Sequence, residues 1–307
     1  MDLSSPCLQC WRGCQRLAGI RTVPHPPRVR VAAVQCSSRM GSAAAVEDNA
    51  EKMERLARKA AEGGAKIIVF PEAALTGYTS QAFLHNWHIP QRRLQPRFTG
   101  IDPTGVVPRV DSPIVQKLVA LAKELHVYMT IPFVEEVEAS PKEGEAESQF
   151  FNTVCLAGPS GEVVVHYRKT HLWDYVDGSW ASRGDSPGFV ETEFGRVGIG
   201  ICYDIHRLAQ LYSNANLWAL LYSVAWVGHP TDGPTERWFR KDLSETYLGR
   251  DGLKCFVIAA NWSTDREYFW DGAGYSSMYG QDGQRLAYLD VEVGDSILYS
   301  DIPFDPS

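Results

Sequence analysis

The sequence lacks the features that would place the chain in a membrane or on nucleic acid. Its longest run without Asp, Glu, Lys or Arg extends from Leu208 to Thr231, and Gln210, Asn214 and Asn216 interrupt it. A spanning helix needs a longer uninterrupted apolar stretch. The net charge of -7 at pH 7 offers no basic surface that could neutralise phosphates. We therefore expect neither membrane insertion nor nucleic-acid binding.

The seven cysteines lack the even, regular spacing of a disulfide framework. Such a scattered, odd-numbered set favours a reducing compartment, and we predict a cytoplasmic protein. Cys7, Cys10 and Cys14 lie close together, but no second group with the spacing of a metal site follows them. We therefore predict no metal site.

Residues 1–27 differ in composition from the rest of the chain. They carry Arg12, Arg16 and Arg21 with a single acidic residue, and they lack an apolar core long enough for a secretory signal. We interpret them as a disordered leader, and an organelle transit peptide is the alternative that the composition leaves open. Residues 28–307 form the one predicted domain.

Helical and strand patterns alternate along this domain. Apolar residues recur at steps of three and four from Val46 to Ala60 and from Ile114 to Leu125, which predicts two amphipathic helices. Apolar runs such as 67–70 and 195–203 predict buried strands, and 281–283 predicts the turn of a hairpin. This order favours one α/β domain with mixed sheets and outer helices. The long irregular segment 76–110 is typical of an active-site rim.

Three residues of complementary chemistry, Glu72, Lys169 and Cys202, each follow a predicted buried strand. Ligand sites in α/β sheets form at strand ends. A carboxylate can accept the proton of a thiol during attack, and an ammonium can stabilise the thiolate and then the oxyanion. Each residue alone is more often structural, as a core thiol, a loop carboxylate or an edge lysine.

The local sequences around these residues resemble three signature motifs of the nitrilase superfamily. The motifs are Phe70-Pro-Glu-Ala-Ala-Leu-Thr-Gly-Tyr78, Tyr167-Arg-Lys-Thr-His-Leu-Trp173 and Gly198-Ile-Gly-Ile-Cys-Tyr-Asp204. The Glu–Lys–Cys triad of that family falls on Glu72, Lys169 and Cys202, in the family's order. Three motifs in order are more specific than any one of them, and the likeness extends over roughly residues 28–303.

The resemblance implies a fold, an assembly and a supporting carboxylate. The expected fold is α/β, a four-layer α-β-β-α sandwich with two mixed sheets. The expected assembly is an eight-layer homodimer or a higher homo-oligomer. A small-molecule substrate is the expected partner, and the chemistry requires no cofactor. Members often use a second carboxylate to hold the lysine. Asp177 is the candidate here and Glu135 its competitor, although the short aspartate side chain puts the usual geometry in doubt.

Further site residues follow from position along the chain. The backbone N–H of Tyr203, directly after the nucleophile, is the expected second donor to the oxyanion. Three aromatic residues near the motifs are candidate pocket walls, with core packing as the alternative for each: Trp173, Trp180 and Trp226.

The residues after the cysteine bear on the substrate. Nitrile-cleaving members of the family typically have Trp-Glu there, whereas this chain has Tyr203-Asp204. We therefore predict hydrolysis of a linear amide or an N-carbamoyl compound through a cysteine thioester, with a ketoacid ω-amidase as one option in that class. The alternatives are nitrile hydrolysis, a non-catalytic scaffold with the same fold, and a redox protein built on Cys202.

Overall fold

The computed structural model describes residues 26–39, 43–77, 109–137, 149–174, 177–179, 181–226, 237–264, 272–290 and 294–305. Residues 1–25 of the leader, Trp180 and most of the predicted rim at 76–110 lie outside these residues.

The described strands form two sheets of six. In spatial order, the first sheet contains β12 (Ser296–Pro303), β1 (Arg28–Gln35), β2 (Ile67–Val69), β3 (Tyr128–Val137), β4 (Gln149–Ala157) and β5 (Val163–Arg168). The second contains β11 (Arg285–Tyr288), β10 (Ser277–Tyr279), β9 (Phe256–Ala260), β8 (Ala219–Ser223), β7 (Gly195–Ile201) and β6 (Phe189–Thr192). Strands β1 to β3 pair in parallel, as do β7 to β9, and the remaining pairs are antiparallel. Both sheets are mixed, which confirms the predicted α/β fold class.

Helices cover the outer face of each sheet. They are α1 (Ala43–Glu62), α2 (Pro113–Leu125), α3 (Ile205–Leu211) and α4 (Leu243–Tyr247), the last preceded by a π-helical turn at Trp238–Asp242. One apolar core lies between the first sheet and α1 with α2, a second between the sheets, and a third between the second sheet and α3 with α4. The result is the four-layer order α-β-β-α. In the described part of the chain, no helix is long and apolar enough to cross a membrane.

The two early helices have the boundaries that their sequences predict. Helix α1 ends at Gly63-Gly64, where Gly64 adopts φ +88°, a left-handed conformation that glycine tolerates without strain. Helix α2 starts at Pro113 after Ser112. The Ser112 side chain makes no capping hydrogen bond, so the fixed φ of Pro113 is the stronger start signal.

The two sheets are joined at the ends of β2 and β8. The Ser223 hydroxyl donates to the backbone oxygen of Phe70 at 2.8 Å, and the Glu72 N–H donates to the oxygen of Val224 at 3.3 Å. The indole N–H of Trp262 donates to the backbone oxygen of Glu72 at 2.7 Å. These bonds fix the backbone of Glu72 at the edge where β7 and β8 also end.

Candidate active site

Lys169 directly follows β5 and is buried between two carboxylates. Its Nζ lies 2.8 Å from Glu72 Oε1 and 2.5 Å from Asp177 Oδ2, and all three side chains are at most 1% exposed. Burial alone lowers the pKa of the Lys169 ammonium, but the charges of Asp177 and Glu72 outweigh it and hold that pKa well above its ordinary value. Lys169 therefore remains charged at neutral pH.

Asn152 bridges the same two carboxylates. Its Nδ2 donates to Glu72 Oε1 at 2.7 Å and to Asp177 Oδ1 at 3.2 Å. Glu72 Oε1 therefore accepts two hydrogen bonds, whereas the buried Oε2 of Glu72 has no partner among the described residues. The sequence analysis did not identify Asn152 as a site residue. One feature of the sequence could have indicated its role: Asn152 is polar, whereas Val154 and Leu156, which share its face of the strand, are apolar.

The two candidate supporting carboxylates lie in different places. Asp177 reaches Lys169 despite its short side chain, because a 3-10 turn at Asp177–Ser179 brings its backbone close. The backbone N–H of Trp173 also donates to Asp177 Oδ2 at 3.2 Å. Glu135 instead pairs with Arg168 at 2.9 Å on the outer face of the first sheet. The structure thus brings Asp177, and not Glu135, to the lysine.

Cys202 begins a 3-10 turn directly after β7, one residue past the last strand residue. Its φ of +41° cannot continue a strand and is a strained conformation for a residue with a side chain. The Tyr222 hydroxyl fixes this turn by donating to the backbone oxygen of Cys202 at 2.6 Å. Strained backbone of this kind is found at functional sites.

The surroundings of the Cys202 thiol keep it protonated. Burial raises its pKa most, and the negative charge of Glu72 raises it further. The Lys169 charge and a hydrogen bond from the backbone of Ala225 act in the opposite direction, but the pKa still lies well above its ordinary value. The thiol is therefore neutral in the free site and requires a base to become a nucleophile.

Comparison with known proteins identifies the family of this chain. Residues 30–305 match the family model for carbon-nitrogen hydrolases. The chain belongs to the carbon–nitrogen hydrolase family. The resemblance to the nitrilase superfamily is thereby confirmed, since this match covers nearly the whole domain.

The individual relatives of this carbon–nitrogen hydrolase include amidases and another member of the nitrilase superfamily. It is 28% identical to the ω-amidase NIT2 of Homo sapiens over 265 residues, which are 83% of each chain. An amidase from Nesterenkonia sp. shares the fold with a TM-score of 0.67 at 19% identity, covering 91% of this chain and 92% of that one. Nit3 of Saccharomyces cerevisiae, a member of the nitrilase superfamily, has a TM-score of 0.63 at 20% identity and covers 90% of both chains.

Asp204 is a further residue whose place in the hydrolase the sequence analysis missed. Its fully buried carboxylate accepts hydrogen bonds from the backbone of Ile201 at 3.1 Å and of His171 at 2.7 Å, and from the Tyr167 hydroxyl at 2.8 Å. These contacts join the segment after Lys169 to the turn at Cys202. Burial raises the pKa of Asp204 to about 6, although the Lys169 charge and these donors act against it.

Aromatic rings pack around Tyr203, the residue that follows Cys202. The Tyr203 ring stacks near His171 and Trp173, with centroid distances of 5.1 Å and 6.4 Å. Trp226 stacks on Trp238 at 5.0 Å. Trp173 and Trp226 are therefore both packed against other rings, and Trp173 lies next to the residue that follows Cys202. Trp180 is outside the described residues. Within the described segments, no group of three or more His, Cys, Asp or Glu residues is arranged to hold a metal ion.

Proposed function

We propose that this hydrolase cleaves the C–N bond of a linear amide or an N-carbamoyl compound through a thioester on Cys202. One observation carries the proposal: Lys169 and Glu72 form a buried ion pair 2.8 Å apart, Glu72 keeps one oxygen without a partner among the described residues, and both charges act on the Cys202 thiol. The relatives support it, since NIT2 is an ω-amidase and a variant of the Nesterenkonia amidase was solved in complex with butyramide.

The first half of the proposed reaction forms the thioester. The sulfur of Cys202 attacks the amide carbon while Glu72 Oε2 accepts the thiol proton. Lys169 has three N–H donors and directs two of them to Glu72 and Asp177, so the third is available to the oxyanion. The backbone N–H of Tyr203 is the second proposed donor. Glu72 then protonates the leaving nitrogen, the C–N bond breaks, and ammonia or an amine departs.

The second half hydrolyses the thioester. Glu72 accepts a proton from a water molecule, and the resulting hydroxide attacks the thioester carbon. Lys169 again stabilises the oxyanion. The C–S bond then breaks, the carboxylic acid leaves, and the proton on Glu72 returns to the sulfur of Cys202. Asp177 keeps Lys169 in place and charged throughout.

A substrate panel tests the proposal. Purified enzyme is incubated with aliphatic amides, N-carbamoyl amino acids and nitriles, and products are identified by mass spectrometry. We expect ammonia or amine from amides and, if N-carbamoyl compounds are cleaved, carbon dioxide as well. Efficient turnover of nitriles would instead place the chain in the nitrile-cleaving branch.

The variant Cys202→Ala is the control for this panel. Loss of a hydrolase nucleophile lowers kcat on the order of 10⁶-fold, so turnover should vanish while the folded structure, measured by circular dichroism, persists. A redox protein would behave differently: it would cycle with peroxide and form no acyl-enzyme. A scaffold protein would show no turnover even with the wild-type cysteine.

We further propose that the enzyme is a cytoplasmic homodimer. Four cysteines of the described residues are free thiols: Cys36, Cys155, Cys202 and Cys255. Free thiols fit a reducing compartment.

Light scattering on the purified chain measures its mass in solution, and a monomer would contradict the expected eight-layer pairing.

A further inference from the structure

We propose that Asn152 is a positioning residue of the hydrolysis, which holds Glu72 so that its Oε2, and not its Oε1, carries the proton. The inference rests on the proposed function for its kinetic test, and a second test below is independent of substrate.

The two oxygens of the Glu72 carboxylate have unequal surroundings. Oε1 accepts from Asn152 Nδ2 at 2.7 Å and from Lys169 Nζ at 2.8 Å. Oε2 is equally buried but has no hydrogen-bond partner. An oxygen that accepts two strong hydrogen bonds has little remaining affinity for a proton. Proton transfer to and from the thiol and the leaving nitrogen therefore uses Oε2.

Asn152 is well placed to impose this asymmetry. Its backbone oxygen accepts the N–H of Lys169 at 2.8 Å, so the same residue also fixes the backbone of Lys169. Its Nδ2 also donates to Asp177 Oδ1 at 3.2 Å. The two side chains that face the amide, those of Glu72 and Asp177, are carboxylates. An ionised carboxylate only accepts hydrogen bonds, so the nitrogen of the amide must face them.

The backbone of Glu72 is already held by other bonds. The Trp262 indole donates to its oxygen at 2.7 Å, and its N–H donates to Val224 at 3.3 Å. What remains free is the rotation of the carboxylate itself. Asn152 and Lys169 together restrict that rotation by binding the same oxygen.

Fold stability alone does not account for an asparagine at this position. The Asn152 side chain leaves its own Oδ1 buried without a partner, which is destabilising in the interior of a protein. Val154 and Leu156 share its face of β4 and belong to the core between the sheets. An apolar side chain would avoid the unpartnered oxygen, so the role of the amide lies in what its nitrogen binds.

The first test replaces the amide with an apolar side chain of similar size, Asn152→Leu. Loss of a hydrogen bond to a charged group corresponds to roughly a 30-fold lower kcat, because Glu72 then samples orientations in which Oε2 is misplaced. The KM for the best amide of the panel should change by no more than about twofold, since the proposed role of Asn152 is to hold Glu72 and not to bind substrate.

The variant Asn152→Asp gives a pH signature that a structural role would not produce. The introduced carboxylate cannot donate to Glu72 while it is ionised, whereas in its protonated form it can donate through its O–H. The activity of this variant relative to wild type should therefore rise as the pH falls. A ratio that stays constant with pH would argue against the proposed role.

Thr153→Val is the matched control. Thr153 is the next residue of β4, is equally buried, and donates to a buried carboxylate, Glu135 Oε2, at 2.7 Å. Its side chain lies on the opposite face of the sheet. Because it loses a buried hydrogen bond, we expect its melting temperature to fall at least as much as that of Asn152→Leu, but its kcat to stay within about twofold of wild type.

Alkylation of Cys202 by iodoacetamide, followed on its own peptide by mass spectrometry, supplies the substrate-independent test. It should slow several-fold in Asn152→Leu and remain unchanged in Thr153→Val. If Asn152→Leu had the same kcat and the same alkylation rate as wild type, the inference would be overturned and Asn152 would be a structural residue. If wild type hydrolyses no substrate but the alkylation rates still separate, the proposed function fails and the role of Asn152 stands.

Discussion

Two buried clusters of charged and polar side chains lie on opposite faces of the first sheet. Residues that are adjacent in the chain, such as Asn152 and Thr153, belong to different clusters. The inner cluster contains Glu72, Asn152, Lys169 and Asp177, and the outer cluster contains Glu135, Thr153, His166 and Arg168. Successive side chains of a strand point to opposite faces. Neighbouring positions on β4 and at the end of β5 therefore contribute to different clusters.

The clusters differ in whether their polar atoms are paired. In the outer cluster, Glu135 Oε1 accepts from Arg168, and Oε2 accepts from Arg168 and Thr153 and lies 3.0 Å from the ring of His166. In the inner cluster, Glu72 Oε2 and Asn152 Oδ1 are buried without partners. An oxygen that already accepts strong hydrogen bonds has less affinity for a proton. The inner cluster, with its unpartnered oxygens among the described residues, is the one to which the proposed function assigns proton transfer.

The largest expected contrast is in catalysis. Glu72→Gln keeps an oxygen for Lys169 but cannot accept a proton, and loss of a general base lowers kcat by roughly 10³-fold. Glu135→Gln, on the outer face, should leave kcat within about twofold of wild type. Steady-state kinetics on the best amide substrate measures both variants. Equal losses in the two would show that the clusters are not functionally distinct.

The reverse contrast is expected in stability. Arg168→Met removes the main partner of a buried carboxylate, which typically costs about 3 kcal/mol or more of unfolding free energy. The double variant Arg168→Met/Glu135→Met also removes the orphaned charge and should recover most of that loss. Urea denaturation measures both. A double variant as unstable as the single one would assign the loss to packing of Arg168 against the Phe151 ring, 4.0 Å away.

The smallest expected effect is the pH dependence of the outer cluster. Burial raises the pKa of Glu135, but hydrogen bonds from Arg168 and His166 outweigh it and lower that pKa to about 2. A lowered pKa stabilises the fold above the unfolded value near 4.5, and this stabilisation is lost as the pH falls toward 2. Because the side chains of His166 and Arg168 are 36% and 31% exposed, solvent screening reduces this loss to roughly 1–2 kcal/mol.

Glu135→Gln should lack this part of the pH dependence. Its unfolding free energy, measured from pH 6 down to pH 2, is therefore expected to converge on that of wild type at the acidic end. Parallel curves for the two proteins would contradict the assignment of this titration to Glu135.

Local sequence predicted the elements and the three motif residues well. The periodicity of α1, the apolar runs of β2 and β7, and the turn between β10 and β11 all depend on near neighbours in the chain. The motifs around Glu72, Lys169 and Cys202 were equally visible, because each occupies a few consecutive residues at the end of a strand.

Local sequence did not predict the partners of these residues. Asn152 lies 80 residues from Glu72, and no nearby pattern links them. The choice between Asp177 and Glu135 depended on which face of the first sheet is inner. Asp204 looked like one more residue of a motif, whereas its carboxylate joins segments that follow strands of different sheets.

The sequence by itself determined which chemical groups the chain carries, where its strands end, and that a carboxylate, an ammonium and a thiol follow three of those strands. The tertiary structure alone decided which face of each strand is inner and which oxygen of Glu72 lacks a partner. The physical reason is that side-chain alternation is local, whereas the packing of two sheets and the pairing of buried charges join residues up to 97 positions apart.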